Sequence, residues 1–322
     1  MSSLPPWLRQ LLVEEPPRAP SLVVTVFGDA IAPHGGAVWL GGLIQLLAPF
    51  EVSERLVRTS VFRLAEEGWL ASRREGRRSR YSLTPTGLRR FEHASRRIYT
   101  PPERGWDGNW TLVLLPRGDG SGRRAELRRE LEWEGFASVA PGVFAHPRAD
   151  ARSLGEILAS LELEGEAFVF AARGPEAGAG DASARPLGEL VEQYWQLDAR
   201  AGDYRRFLDR FARVADALGG APPAPETAFM VRTLLIHSFR RVVLHDPRLP
   251  DELLPSSWPG PAAYALCREL YRLTYAPAEA FLRATLEGTD GALPPVAPSV
   301  YARFGGLVGP APAVLDRVVG RV

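Results

Sequence analysis

Lysine is missing altogether: all 39 basic residues of this 322-residue chain are arginine. The chain also holds 31 glycines and 29 prolines, a bias that follows base composition, so Arg over Lys at any one position carries little by itself. Cysteine occurs once, as Cys267, which excludes an internal disulfide and a cysteine-built metal site. A single thiol fits a reducing cytoplasm. No run of 18 apolar residues exists, and the N-terminal stretch MSSLPPWLRQLLVEEPPRAP carries acids where a signal peptide would end, so neither membrane insertion nor export is expected. The five histidines are scattered, and His237 and His245 stand more than two helical turns apart, too far to share an ion. Gly-x-Gly-x-x-Gly, Walker-type and Gly-x-Ser-x-Gly motifs are absent. Neither a metal nor another cofactor is expected. What remains, 45% hydrophobic and 24% charged, is the composition of a globular protein long enough for two or three domains.

One stretch stands out, VSERLVRTSVFRLAEEGWLASRREGRRSRYSL at residues 52–83. Ser53 is a good N-cap, and at 100° per residue Leu56, Val57, Ser60, Val61, Leu64 and Ala65 share one arc. The other arc holds Arg55, Arg58, Thr59, Phe62, Arg63 and Glu66. Gly68 stops the helix, an extended run follows, and Glu75-Gly76 makes a tight turn back through Arg77 to Leu83. An arginine-faced helix followed by an arginine-tipped hairpin is the pattern of a winged helix-turn-helix. Arg grips guanine O6 and N7, or a phosphate, with one planar fork. The expected DNA contacts are therefore Arg55, Arg58, Thr59 and Arg63 on the helix, with Arg73, Arg74, Arg77, Arg78 and Arg80 on the wing. Between residues 53 and 97 stand 12 Arg against 5 Glu, while the whole chain is only +1. Basic charge is thus concentrated on the motif.

Residues 1–20, with five prolines, read as a flexible arm in which Trp7, Leu8, Leu11 and Leu12 make one amphipathic turn. Ser21 caps a helix that Pro33 ends, residues 41–49 supply a support helix, and Thr84-Pro85 starts another that runs to Tyr99. Residues 21–100 form the winged-helix domain. After a linker, residues 109–173 alternate β-α-β-β-α-β, the ferredoxin-like order. A low-complexity connection leads to residues 187–287, a helical effector and dimerisation domain with breaks expected near Gly202 and at Pro277. Residues 288–322 form a tail. The fold class is α+β: winged helix, ferredoxin-like domain, all-α C-terminal domain.

Several segments carry a family resemblance: TVFGDAIAPHGGAVWL, RLVRTSVFRLAEEGWL, GRRSRYSLTPTG, RRIY and DPRLPDELLPSSWPG. In these the chain resembles the PaaX family, bacterial repressors of phenylacetic acid degradation, over residues 21–287. The middle domain is similar to the Cas2-like ferredoxin fold of that family. The resemblance implies a cytoplasmic homodimer that represses a phenylacetate-type catabolic operon. It binds an operator in double-stranded DNA and is released by an aryl-acetyl-coenzyme A thioester such as phenylacetyl-coenzyme A. Such an effector needs an apolar slot for its ring and cations for its phosphates. In the C-terminal region Trp195, Arg240, Arg241, His245, Trp258 and Tyr271 offer both, with the phosphates at Arg240-Arg241. The same arginines suit ordinary surface ion pairs equally well.

A Cas2-like fold raises the question of a nuclease, whose metal-binding Asp stands at the end of the first strand. Here that position reads Leu114-Leu115-Pro116-Arg117, with Asp119 beyond, and fold alone does not confer activity. No enzyme activity is expected. The alternatives are a coenzyme A-thioester enzyme or degenerate nuclease that also binds DNA, and a non-specific nucleic-acid-binding protein.

Overall fold

The computed structural model describes residues 4–102, 105–115, 122–173 and 187–307. These fall into two compact units: one formed by the described residues within 1–101, 207–241 and 262–322, the other by those within 102–206 and 242–261.

The first unit begins with α1 (Pro6–Glu14), the stretch read above as a flexible arm. It is a helix because Leu8, Leu11 and Leu12 fall at helical spacing and are buried, so its apolar side is packed within its own chain. Next, α2 (Ala19–Val26) starts three residues earlier than an N-cap at Ser21 implies, with Pro20 in the first turn, where its missing N–H costs nothing. A π-turn over Phe27–Ile31 and a short 3-10 turn over Ala32–His34 follow, and Asp29 in the π-turn is buried. Strand β1 (Ala37–Trp39), α3 (Leu40–Leu47) and α4 (Glu54–Glu66) lead into the hairpin of β2 (Leu70–Glu75) and β3 (Arg78–Leu83). The three strands pair antiparallel in the order β1-β3-β2. Gly76, first residue of the two-residue loop, has φ +61°, which glycine adopts without penalty.

Helix α5 (Pro85–Tyr99) is capped by Thr84, whose hydroxyl accepts from Gly87 N–H at 2.9 Å and donates to Gly68 O at 2.6 Å. Any Cβ at residue 87 would lie 2.2 Å from Trp69 O, so only glycine lets α5 start this close to the strand.

The second unit carries the ferredoxin-like sheet. Its elements are β4 (Asn109–Leu114), α6 (Gly122–Trp133), β5 (Ala137–Ala140), β6 (Val143–His146), α7 (Ala151–Ser160) and β7 (Phe168–Arg173). The strand order is β5-β6-β4-β7, all neighbours antiparallel. Val113 and Phe144 bury one sheet face against Leu127 and Leu131 of α6 and Leu154 and Leu158 of α7. On the other face Trp110, Ala137 and Ala145 meet Val191 and Trp195 of α8 (Leu187–Trp195). Pro116–Ser121, including Asp119, lie outside the described residues.

Three long helices complete the chain: α9 (Leu197–Leu218), α10 (Pro225–Val243) and α11 (Gly260–Asp290). Two breaks expected from sequence are absent. Gly202 lies inside α9, and the break falls instead at Gln196, with φ +50°. Pro277 lies inside α11, where Tyr271, Ala278 and Leu282 are fully buried on either side, so packing outweighs the missing backbone donor. Val300, Arg303 and Phe304, read above as part of a tail, are buried in a 3-10 segment of the first unit. No described helix is long and apolar enough to cross a membrane.

Candidate nucleic-acid interface

Ser53 caps α4 by accepting the Leu56 N–H at 3.4 Å. The helix then buries Val57, Ser60, Val61 and Leu64 and packs against α2 and α3. Arg55, Arg58, Thr59 and Arg63 all stand on the exposed side. The Arg58 Nε donates to Glu54 Oε1 at 2.9 Å, a surface pair one turn apart that stabilises weakly and exchanges readily for a phosphate or base. Thr59 donates its hydroxyl to Arg55 O at 2.9 Å.

Two apolar side chains share this face. Leu56, placed on the inner arc from sequence, is 51% exposed, because it sits at the margin of that arc in the first helical turn. Phe62 is 58% exposed. On the helical wheel it falls between Arg55 and Arg58, near the middle of the outward face, a position that a search for arginines passes over.

The wing arginines Arg73, Arg74, Arg77, Arg78 and Arg80 are all exposed. Arg74 Nε donates to Gly76 O at 3.2 Å, and the Arg78 guanidinium lies 4.2 Å above the Trp39 ring. Arg73 stands directly opposite Arg80 across the hairpin. Like charges in that position destabilise a sheet. Behind the wing, Arg90 lies 4.8 Å from the Trp69 ring.

The six residues expected to hold an effector divide between the two units. In the first, Arg240 Nε donates to Thr25 Oγ1 at 2.9 Å and its Nη2 to Ser21 O at 3.0 Å, which ties α10 to α2. Burial and the neighbouring Arg241 push the Arg240 guanidinium down to about 10. Arg241 pairs with Glu15 at 2.6 Å. Tyr271, fully buried, donates to Asp29 Oδ1 at 2.9 Å and leaves no surface for a ligand. In the second unit Trp195 is buried with its indole N–H on Gly135 O at 2.8 Å, Trp258 meets Tyr204 edge-on at 5.7 Å, and His245 lies 5.9 Å from Trp133.

Two arrangements in the first unit have no counterpart in the sequence pattern. Arg210 and Arg213 of α9 join Arg240 and Arg241 in one cationic cluster, faced by Glu14 and Glu15 at the end of α1. Arg213 grips Glu14 with both nitrogens, at 3.1 and 2.8 Å. Burial, with Arg240, Arg241 and Arg210 nearby, pushes His237 down to about 3, so its ring is neutral. The second arrangement is a buried ionic network. Asp29 receives Tyr99 Oη at 2.7 Å and Arg303 Nη1 at 3.0 Å, and lies 3.0 Å from Arg232 Nε. Arg232 continues to Glu279 at 2.6 Å, and Glu279 to His34 at 2.9 Å. Burial alone would raise Glu279, but Arg232 and His34 hold it down at about 2. These partners lie as much as 274 positions apart, and no local pattern announces them.

An arginine-bearing helix directed outward beside a basic β-hairpin defines a winged-helix nucleic-acid-binding protein. Comparison with known proteins narrows the class. The chain matches the PaaX-like protein family over residues 18–87, the PaaX central Cas2-like domain over 103–184 and the PaaX-like C-terminal domain over 195–284. It is 37% identical over 309 residues to the transcriptional repressor PaaX of Escherichia coli (strain K12), spanning 95% of this chain and 96% of that protein. The chain belongs to the PaaX family, a family of regulators rather than enzymes. Among solved structures it is similar to the uncharacterized protein Rv0674 from Mycobacterium tuberculosis, with TM-score 0.52 and 24% identity over 83% of this chain and 98% of the other. That likeness concerns the fold alone.

Proposed function

We propose that the protein is a cytoplasmic transcriptional repressor that binds a two-fold-symmetric operator as a homodimer and leaves it when an aryl-acetyl-coenzyme A thioester binds. The observation that carries the DNA-binding part is the outward face of α4, where Arg55, Arg58, Thr59 and Arg63 turn away from the buried Val57, Val61 and Leu64. The identity to a protein named as a transcriptional repressor supports the same reading. The α4 side chains read base edges in the major groove, and the wing arginines lie along the phosphates. One winged helix covers a short site, and pairing two gives the specificity a repressor needs.

The effector half rests on the arginines of α9 and α10. A coenzyme A thioester carries several phosphate charges, and Arg241, Arg210 and Arg213, with Arg240 beside them, form a cationic group that pairs with Glu14 and Glu15. In this reading the phosphates replace Glu14 and Glu15 on those arginines. Release of α1, and of the Arg240 contacts with Ser21 and Thr25, then carries the signal to α2, which packs on α4. A hundredfold preference of the ligand for the non-binding state corresponds to about 2.7 kcal/mol of coupling.

Footprinting on DNA from the gene's own upstream region, with and without phenylacetyl-coenzyme A, tests the proposal. A short symmetric protected site that the thioester abolishes and free phenylacetate leaves intact supports it. Uniform protection favours a non-specific nucleic-acid-binding protein.

A further inference from the structure

We propose that the second unit holds a binding site for a linear polyamine, a chain of methylene runs that carries several ammonium groups. The site is the cleft bounded by α8, the start of α9 and the 3-10 turn Asp251–Leu253.

The cleft has a volume of about 1120 Å³, and every residue lining it belongs to the second unit. Its floor is apolar. Val191 and Leu197 are buried there, and Trp106, Leu187, Leu253 and Leu254 are half-buried. The protein itself fixes the Trp106 ring: the indole N–H donates to Pro147 O at 2.8 Å and to Asn109 O at 3.0 Å, and the ring meets Trp110 edge-on at 5.7 Å. A wall already in place costs a ligand little ordering. Gln196, with φ +50°, turns α8 into α9 and sets Leu197 on the floor and Asp198 on the rim.

The rim is acidic. Asp107, Glu192, Asp198 and Glu252 come from four different segments, against one guanidinium, Arg173, which donates to Asp107 O at 3.4 Å. Among the described residues neither Glu192 nor Asp198 has an ion-pair or hydrogen-bond partner. The backbone and side-chain N–H groups of Asn109 hold the Asp107 carboxyl below the usual carboxylate range, so it is charged at neutral pH. Residues 174–186, which join Arg173 to Leu187 in the sequence, carry Glu176, Asp181 and Arg185 and so have no surplus cation with which to answer these carboxylates.

Uncompensated carboxylates around a low-dielectric floor concentrate cations and repel phosphates, so the coenzyme A part of the effector does not seat here. A point charge does not suit the cleft either. No three carboxylates of the described residues stand close enough together to hold a metal ion. The arrangement fits a cation whose charges are spread along an apolar chain. Its ammonium groups reach separate carboxylates, its methylenes lie on the leucines, and one charge stacks on the Trp106 face.

Calorimetry of the full-length protein with spermine, n-butylammonium and magnesium at one ionic strength tests this. Spermine is expected to bind once per chain, with the other two giving no saturable heat. Glu192 and Asp198 are exposed and unpaired among the described residues, so Glu192→Gln with Asp198→Asn strands no partner. That variant should bind spermine about tenfold more weakly or worse, since charged hydrogen bonds are lost. Glu130→Gln with Glu164→Gln, two exposed carboxylates outside the cleft, should bind it as wild type does. Spermine heat that does not saturate below about 1 mM overturns the site. Equal losses from the two double variants overturn its location, and n-butylammonium or magnesium binding as tightly as spermine overturns the ligand class. None of these results touches the repressor reading, which the footprint tests.

Discussion

Arg73 and Arg80 face each other across the β2–β3 hairpin, two exposed guanidinium groups at directly opposed positions of an antiparallel pair. The arrangement costs a few tenths of a kcal/mol or more in the free protein. A phosphate placed between them removes that cost. Arg80→Ala should therefore leave thermal stability unchanged or slightly higher while weakening binding to all DNA sequences alike. The slope of log K against log salt should flatten by about 0.9, the increment for one phosphate no longer neutralised. A melting curve and a salt titration of one variant read both signs.

Phe62 makes a different prediction. A ring 58% exposed near the middle of an otherwise polar helix face suits the 5-methyl group of thymine, the apolar feature of the major groove. Replacing thymine by uracil at one operator position should weaken wild-type binding severalfold. In Phe62→Ala the same replacement should have no effect. If no thymine in the site shows this dependence, the ring does not read the groove.

The ionic network of the first unit predicts both a stability loss and a pH dependence. Arg232 is fully buried between Asp29 and Glu279, so Arg232→Ala removes the cation the two carboxylates share, leaving Asp29 to Arg303 and Glu279 to His34, and should cost about 3–5 kcal/mol. Glu279 is held at about 2, below its ordinary 4.5, and His237 at about 3, below its ordinary 6.5. In both cases the folded protein binds fewer protons than the unfolded chain. The stability these groups contribute is present above their ordinary values and is lost as pH falls through them toward the folded ones. Urea unfolding between pH 7 and pH 3 should show His237 weakening the protein first, from about pH 6.5, and Glu279 from about 4.5. In Glu279→Gln the second loss should disappear.

The arginine cluster predicts where the effector acts. Arg213 and Arg241 are more than half exposed and pair with Glu14 and Glu15; with both replaced by Ala, Arg210 still holds α1 through Glu15 and Leu11 O, so the fold and DNA binding should survive. The variant should bind the operator and ignore phenylacetyl-coenzyme A, seen by calorimetry as loss of thioester binding. Binding retained at wild-type strength would remove this site and leave the effector standing.

How far the sequence leads depends on range. Ser53 and Thr84, the Gly76 turn and the ferredoxin-like strand order all follow from local pattern, because caps, turns and alternation are set within a few residues. Local pattern is least informative where distant segments meet. Leu8, Leu11 and Leu12 look like an arm because the surface that buries them is not local to them. Pro277 looks like a helix end because the packing of Tyr271 and Leu282 that carries α11 through it is tertiary. Arg240 looks like a phosphate ligand, but Ser21 and Thr25, more than 200 positions earlier, already engage it. On the outward α4 face the arginines are legible from their spacing, whereas Phe62 is not, because an exposed aromatic has no periodicity of its own.

The claim that α4 reads sequence while the wing only holds the backbone is tested most directly by one comparison. Wild type, Arg58→Ala, Arg63→Ala and Arg77→Ala are titrated against the selected operator and a scrambled duplex at two salt concentrations. The helix variants should lose about 1–3 kcal/mol on the operator and little on the scramble, while the wing variant loses equally on both. Equal losses on both duplexes from Arg58→Ala and Arg63→Ala would contradict it.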